Sequence, residues 1–199
     1  MKLTPTSRLS EAAQDLVRTS NLLKAEMLYL TQPLRLSQNI VKDAEPIMYS
    51  IRSLVRAQIS HIEAVCYLTR RMVLSLPIDI LKLEFTESDL LKLDDKRKNK
   101  SDGSNVILRM GTRENINFSF MSFAKIFTLD FQLEKGRGWE NFLVVLSARD
   151  NLTHPKTFET QIISPNQWES LQETDNWFTK ETNRMLNEAK DENPFIAQP

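Results

Sequence analysis

The recurrence of apolar positions predicts a chain built mainly of α-helices. Ala13, Leu16, Val17, Ser20, Leu23, Met27 and Leu30 follow one another at helical steps behind Ser10, a good N-cap, and Pro33 interrupts them. A first helix is therefore expected from Ser10 to about Leu30. A second, longer one should open near Pro46, which suits a first helical position, and close near Leu76, where Pro77 stops it. Ile47, Ile51, Leu54, Gln58, Ile62, Val65, Leu68 and Met72 trace its buried stripe. At about 1.5 Å per residue such a helix crosses a small domain.

From Ile78 to Asn117 the periodicity weakens. Glu87 to Asp94 fits a short helix, and Lys96 to Gly103 reads as a solvated turn. Alternation over Ile80 to Phe85 and Asn105 to Met110 suggests a small hairpin closed across that turn. Helical spacing returns over Phe118 to Leu133, with Phe120, Phe123, Ala124, Phe127 and Phe131 on one aromatic face. Gly136 and Gly138 then break the chain. The next helix carries Trp139, Phe142, Leu143, Val145 and Leu146 inward and runs to about Thr153, because Pro155 keeps the residue before it out of the α region. Ser164 and Pro165 cap and open a last helix from Asn166 to about Lys190, with Trp168, Leu171, Asp175, Phe178, Thr182 and Leu186 in step. The tail 191–199 should fray. The expected fold class is thus mainly all-α: a single domain over residues 1–199, an up-and-down bundle of about five helices with a small hairpin or loop insertion around 78–113.

Composition changes this picture little. The chain has 199 residues, 41% hydrophobic and 26% charged, enough for one packed domain. Lys+Arg and Asp+Glu balance at 26 each, so no whole-molecule field marks it for nucleic acid or an anionic membrane, and any polyanion site must be local. The single cysteine, Cys66, excludes an internal disulfide, and no Cys/His cluster has zinc-site spacing. No metal or cofactor is expected. No apolar run has the length of a signal peptide or a membrane span, so the expected location is the cytoplasm, without a membrane partner.

Candidate chemistry is narrowed by the histidines, of which there are 2. His61 stands mid-helix beside Ile62 and Val65, the setting of a hydrogen-bonded, partly buried imidazole. His154 stands at the break before Pro155. Arg149 lies five residues earlier, roughly 140° around an ideal helix, but His154 should have left helical geometry, so its imidazole can fold back and both side chains can face one phosphate.

The segment from Trp139 to Pro155, WENFLVVLSARDNLTHP, resembles the signature helix of HEPN domains. That motif is an Arg, a polar residue directly after it, and a His after four to six residues. Arg149, Asp150 and His154 match it at the shortest spacing, with Asp150 where asparagine is common. The order of elements also fits from about Asn115 to Leu186 and extends to the long helix 46–76, whereas Ile78 to Gly111 has no counterpart.

This resemblance implies a metal-independent endoribonuclease acting on single-stranded or loop RNA, in a toxin or defence setting with an antitoxin or regulatory protein as partner. Its alternative is a catalytically inactive dimer that binds a protein or a nucleotide. In the enzyme, the RNA 2′-OH is the nucleophile. His154 would move protons, Arg149 would clamp the phosphate and Asp150 would orient either of them, with Asn151, Thr153 and Lys156 touching substrate. One usable histidine per chain points to a homodimer in which two motifs meet, with the long helix and the motif helix near the two-fold axis. Arg52, Arg56, Arg70 and Arg71 are further candidate phosphate contacts, against the plain reading of solvated arginines. Glu63 is a candidate to reach the motif, Lys96 to Lys100 reads as a soluble loop, and Trp168 and Trp177 belong in the core. A third reading makes Arg149 and His154 simple cationic caps of a helix C-terminus.

Overall fold

The computed structural model describes residues 44–155 and 162–192, together with positions 11, 14, 15, 18 and 21. Those five, Glu11, Gln14, Asp15, Arg18 and Asn21, are helical and exposed, which is the polar side of the expected first helix. Its apolar positions and the tail from 193 lie outside the described residues. Six helices and one two-stranded sheet make up the rest: α1 (Ala44–Leu74), α2 (Ile78–Glu84), α3 (Glu87–Leu93), β1 (Lys96–Lys98), β2 (Asn105–Ile107), α4 (Thr112–Ile126), α5 (Arg137–Thr153) and α6 (Pro165–Glu192). The protein is mainly α-helical. Among the described residues no helix is long and apolar enough to cross a membrane. They fall into two compact units, one holding 63–133 and 183–192, the other 44–62, 134–155 and 162–182.

The helix α1 contributes to both units and buries more than the expected stripe. Leu54, Gln58, Ile62, Val65 and Met72 are buried, but so are their neighbours Val55, Ile59, His61, Cys66, Thr69, Arg70 and Val73, while Ile51 and Leu68 are only half-buried. Two adjacent positions per turn face inward, the wide face of a helix packed on more than one side.

In the first unit the stretch 80–85 is not a strand. Leu81, Leu83 and Phe85 suggested alternation, yet α2 buries Leu81 and leaves Leu83 80% exposed, while the buried Phe85 is its extended C-cap, its N–H donating to Leu81 O at 2.8 Å. A capping box opens α3: the Asp89 N–H donates to Thr86 Oγ1 (3.2 Å), and Asp89 accepts from the Thr86 N–H (3.1 Å). The bond from the Thr86 hydroxyl holds the Asp89 carboxyl below its ordinary range. The hairpin forms instead from the basic run itself, β1 pairing antiparallel with β2 in the register Lys96 to Ile107, Arg97 to Val106 and Lys98 to Asn105. Only its middle, 99–104, is a turn.

Arg70 ties these elements to α1. It is 2% exposed. Its Nε donates to Leu93 O (3.4 Å), its guanidinium nitrogens to Asp95 Oδ1 (2.7 Å), Ser119 Oγ (3.1 Å) and Asn115 Oδ1. One side chain thereby joins the end of α3, the root of the hairpin and the first turns of α4. One turn before it, burial pushes the Cys66 thiol up to about 12, which keeps it protonated and inert.

The helix α4 starts at Thr112 and stops at Ile126, earlier at both ends than the expected 118–133. Phe120, Phe123 and Ala124 are buried on it, while Phe127 and Phe131 reach the same core from beyond its end. The stop is a Schellman motif: the Leu129 N–H donates to Ala124 O (2.9 Å) and the Thr128 N–H to Lys125 O (3.2 Å), with Thr128 at φ 57°. A β-branched residue there costs roughly 1–2 kcal/mol, against the extra chain entropy glycine loses on folding. Thr128→Gly is expected to raise stability by about 0.5–1 kcal/mol in denaturant titration; a lower midpoint would mean that the hydroxyl or methyl contributes something the geometry does not reveal.

In the second unit Trp139, Phe142, Trp177 and Phe178 form an aromatic cluster, with Trp139 edge-on to Trp177 at 5.7 Å and Phe142 stacked on it at 6.0 Å. The Trp177 indole N–H donates to Glu134 O (2.9 Å). Gly138 lies inside α5, not in a chain break, and a Cβ placed on it would run into the root of the Trp177 side chain. Gly138→Ala is therefore expected to destabilise by about 1–3 kcal/mol despite alanine's better helix propensity, because the indole can retreat only by breaking its bond and its stacking. A thermal midpoint equal to or above that of the parent would show that the cluster can give way.

A second capping box begins α6, with Ser164 and Gln167 exchanging bonds of 2.9 and 3.3 Å. Its buried line runs Leu171, Thr174, Phe178, Glu181, Met185 and Ala189. Asp175, Thr182 and Leu186 of the expected stripe are only half-buried, the line having slipped by about one residue. Glu181, with no exposed surface, accepts the Glu134 N–H at 3.1 Å, so a carboxylate occupies an interior helical step. Asp191 and Glu192 continue the helix instead of fraying.

Candidate functional site

The C-terminal end of α5 is set by its seat. Phe142, Val145, Ala148 and Leu152 are buried along one face, which fixes the rotation of the last turns. The helix stops at Thr153 because His154, before Pro155, takes φ −128° and ψ 65°. The His154 N–H still closes the last backbone bond, to Asp150 O at 2.8 Å, while its side chain is exposed.

Arg149 sits on the last full turn, its side chain 28% exposed, with a guanidinium nitrogen 3.4 Å from Asp150 Oδ1. The carboxylate is 61% exposed, so this pair is worth only about 0–1 kcal/mol and an incoming phosphate can displace it. The Thr153 hydroxyl turns back to Arg149 O (2.9 Å), the ordinary use of a threonine in a last turn. Asn151 is half-buried beside it. Lys156 lies outside the described residues.

Arg56 completes this end from α1, donating to Leu152 O at 3.2 Å. The contact spans 96 positions of sequence, and no local pattern announces it. It satisfies one of the carbonyls that a helix end leaves open and places a cation where the helix dipole is negative. Arg56, Arg149 and His154 thus stand at the end of α5 with one exposed carboxylate. A phosphate there would be held by guanidinium and imidazole groups, since backbone N–H groups point the other way at a helix C-terminus.

The other candidates divide clearly. Arg70 is withdrawn as a phosphate contact, being buried in its own network. Arg71 is exposed, 3.9 Å from Asp94, and Arg52 is half-buried. Glu63 accepts the Thr112 hydroxyl at 2.7 Å, a tie within the first unit. His61 is buried with its ring edge-on to Phe178 at 6.2 Å, a core histidine. Trp177 is buried and Trp168 half-buried. Lys96, Arg97 and Lys98 form a strand, not a loop. Among the described residues no group of three or more His, Cys, Asp or Glu is placed to hold a metal ion. No protein-family model, no characterised protein and no solved structure matches this chain.

Proposed function

We propose that the α5 end is the catalytic half-site of a HEPN-like, metal-independent endoribonuclease that cleaves single-stranded or loop RNA by attack of its own 2′-OH. The observation that carries this reading is the pairing of a half-buried Arg149, anchored on a well-seated helix, with an exposed His154 released from helical geometry just beyond it. Arg149 presents a fork to two phosphate oxygens and stabilises the charge that builds on them. His154 takes the 2′-OH proton or returns one to the leaving 5′-oxygen. Those two duties fall on one imidazole per chain, so the complete site is a homodimer with two motifs facing each other. Asp150 holds Arg149 in place until substrate displaces it.

Incubating the purified protein with mixed RNA in chelator tests the reading. Products ending in a 2′,3′-cyclic phosphate are expected, and RNA left intact under conditions where the protein is folded sinks it. The contact from Arg56 to Leu152 O favours a second reading for that residue alone: Arg56 is a helix cap first, and its loss should lower stability more than cleavage.

A further inference from the structure

We propose that the β1–β2 hairpin is a grip for the phosphate backbone of single-stranded RNA; the choice of RNA as the polyanion rests on the ribonuclease reading above. The chain as a whole has formal net charge +0, yet between positions 96 and 109 it carries Lys96, Arg97, Lys98, Lys100 and Arg109 against a single carboxylate, Asp102. Two of these cations are in exposed, weak pairs, Lys96 with Asp94 at 2.5 Å and Lys98 with Glu87 at 3.5 Å. No carboxylate of the described residues lies within ion-pair distance of Arg97, Lys100 or Arg109.

The hairpin contributes little to the core, Val106 alone of its strand residues being half-buried. All of β1 is exposed and Ile107 is 77% exposed. A bare two-stranded ribbon is marginal in water, yet this one is held firmly. Gly103 takes φ 69°, the Asn99 N–H donates to Ser104 O (2.7 Å), and the Gly103 N–H donates to Asn99 O (2.9 Å). Asp102 accepts from the Ser104 N–H at 3.0 Å. At the root the Leu108 N–H donates to Asp95 O (2.7 Å), and Asp95 is itself bound by the buried Arg70. The interior therefore fixes a ribbon that buries little in return.

Lysines on a short edge strand also block unwanted strand pairing, but charge of either sign does that, and β1 carries cations alone. Lys96 and Lys98 point to one face of the ribbon about 6.8 Å apart, a repeat suited to successive phosphates of an extended strand. Ile107, directly opposite Lys96 in the register, adds apolar surface on that face for a sugar or a base.

The test uses the full-length His154→Ala protein, so that binding is read without cleavage. A labelled, unstructured RNA oligonucleotide is titrated over a salt series. In the triple variant Lys96→Ser, Lys98→Ser, Lys100→Ser, which empties the face that the register presents, affinity should fall at least ~10-fold. The slope of log affinity against log salt should be shallower by about 2, since each contact to a single-strand phosphate contributes ~0.7. A control triple at exposed cations elsewhere, Lys82→Ser, Arg137→Ser, Lys190→Ser, makes the same change in net charge and should stay within about twofold, as expected if the effect is local. Unchanged affinity and slope in the hairpin triple overturn the proposal. So does an equal loss in the control, or hairpin-dependent binding of phosphatidylserine vesicles with none of RNA. Hairpin-dependent RNA binding by a parent protein that cleaves nothing would remove the ribonuclease reading and leave the grip standing.

Discussion

Replacing Arg70 by alanine is expected to destabilise the protein by about 3–5 kcal/mol, a drop of roughly 6–20 °C in thermal midpoint for a chain of this size. The side chain donates to four separate groups, on the end of α3, the hairpin root and α4. Ser119 has no exposed surface and Arg70 itself is nearly sealed, so water does not simply take the place of the guanidinium. Each buried acceptor left without a donor costs about 1–3 kcal/mol. The Asp95 carboxylate contributes least, because its side chain is 37% exposed and regains water. Arg70→Lys separates charge from geometry. An ammonium keeps the charge but cannot fork toward acceptors on three elements, so it should recover less than half of the loss. Arg70→Met keeps the volume and none of the bonds, and should fall between lysine and alanine. Melting followed by circular dichroism decides the matter. A midpoint within about 2 °C of the parent in Arg70→Ala, against the drop expected from those unmade bonds, would show that the network is decoration.

The same residue shows what a sequence of this kind discloses and what it conceals. Helices whose apolar steps are long and regular were legible, with ends close to those observed for α1, α5 and α6, because Pro77, Pro155 and the Ser164–Pro165 pair punctuate the chain physically. The short elements were not. Leu81, Leu83 and Phe85 satisfy a period of two, and only the fold shows Leu83 exposed on a short helix that ends before an extended Phe85. Basic residues in β1 read as a turn because nothing in Lys96, Arg97 and Lys98 is apolar. Buried charge is the least legible of all. Arg70 and Glu181 stand at interior steps where a sequence reading places carbon, and their partners come from positions far along the chain, as Ser119 does for Arg70 and the Glu134 N–H for Glu181. The candidate site lies between these extremes. Arg149, Asp150 and His154 are visible as a spacing, whereas Arg56 is visible only as one of several arginines on a long helix, and its place at the same helix end emerges from the fold.

His154→Ala and Arg149→Ala should each reduce RNA cleavage in chelator by about 10²–10⁴-fold, the range for losing a proton carrier or a preorganised charge clamp. On the proposed mechanism both side chains serve one phosphate, so the double variant should be scarcely slower than the worse single one. Arg149→Lys is the sharper probe. It retains charge and most of the aliphatic packing of a side chain that is 28% exposed, yet offers a point charge where two oxygens need a fork, and a loss of at least ~10-fold is expected. Asp150→Asn should change cleavage by less than ~10-fold, because a carboxylate 61% exposed and weakly paired positions the guanidinium without touching the reacting atoms. Stability separates this chemistry from plain helix capping. His154 is exposed and forms its last helical bond through the backbone, so its side chain can be removed with the melting curve unmoved. Variants that melt lower while cleaving as the parent does would make these cations caps of α5 and nothing more. Variants that melt with the parent and no longer cleave leave the phosphate as what Arg149 and His154 are placed to hold.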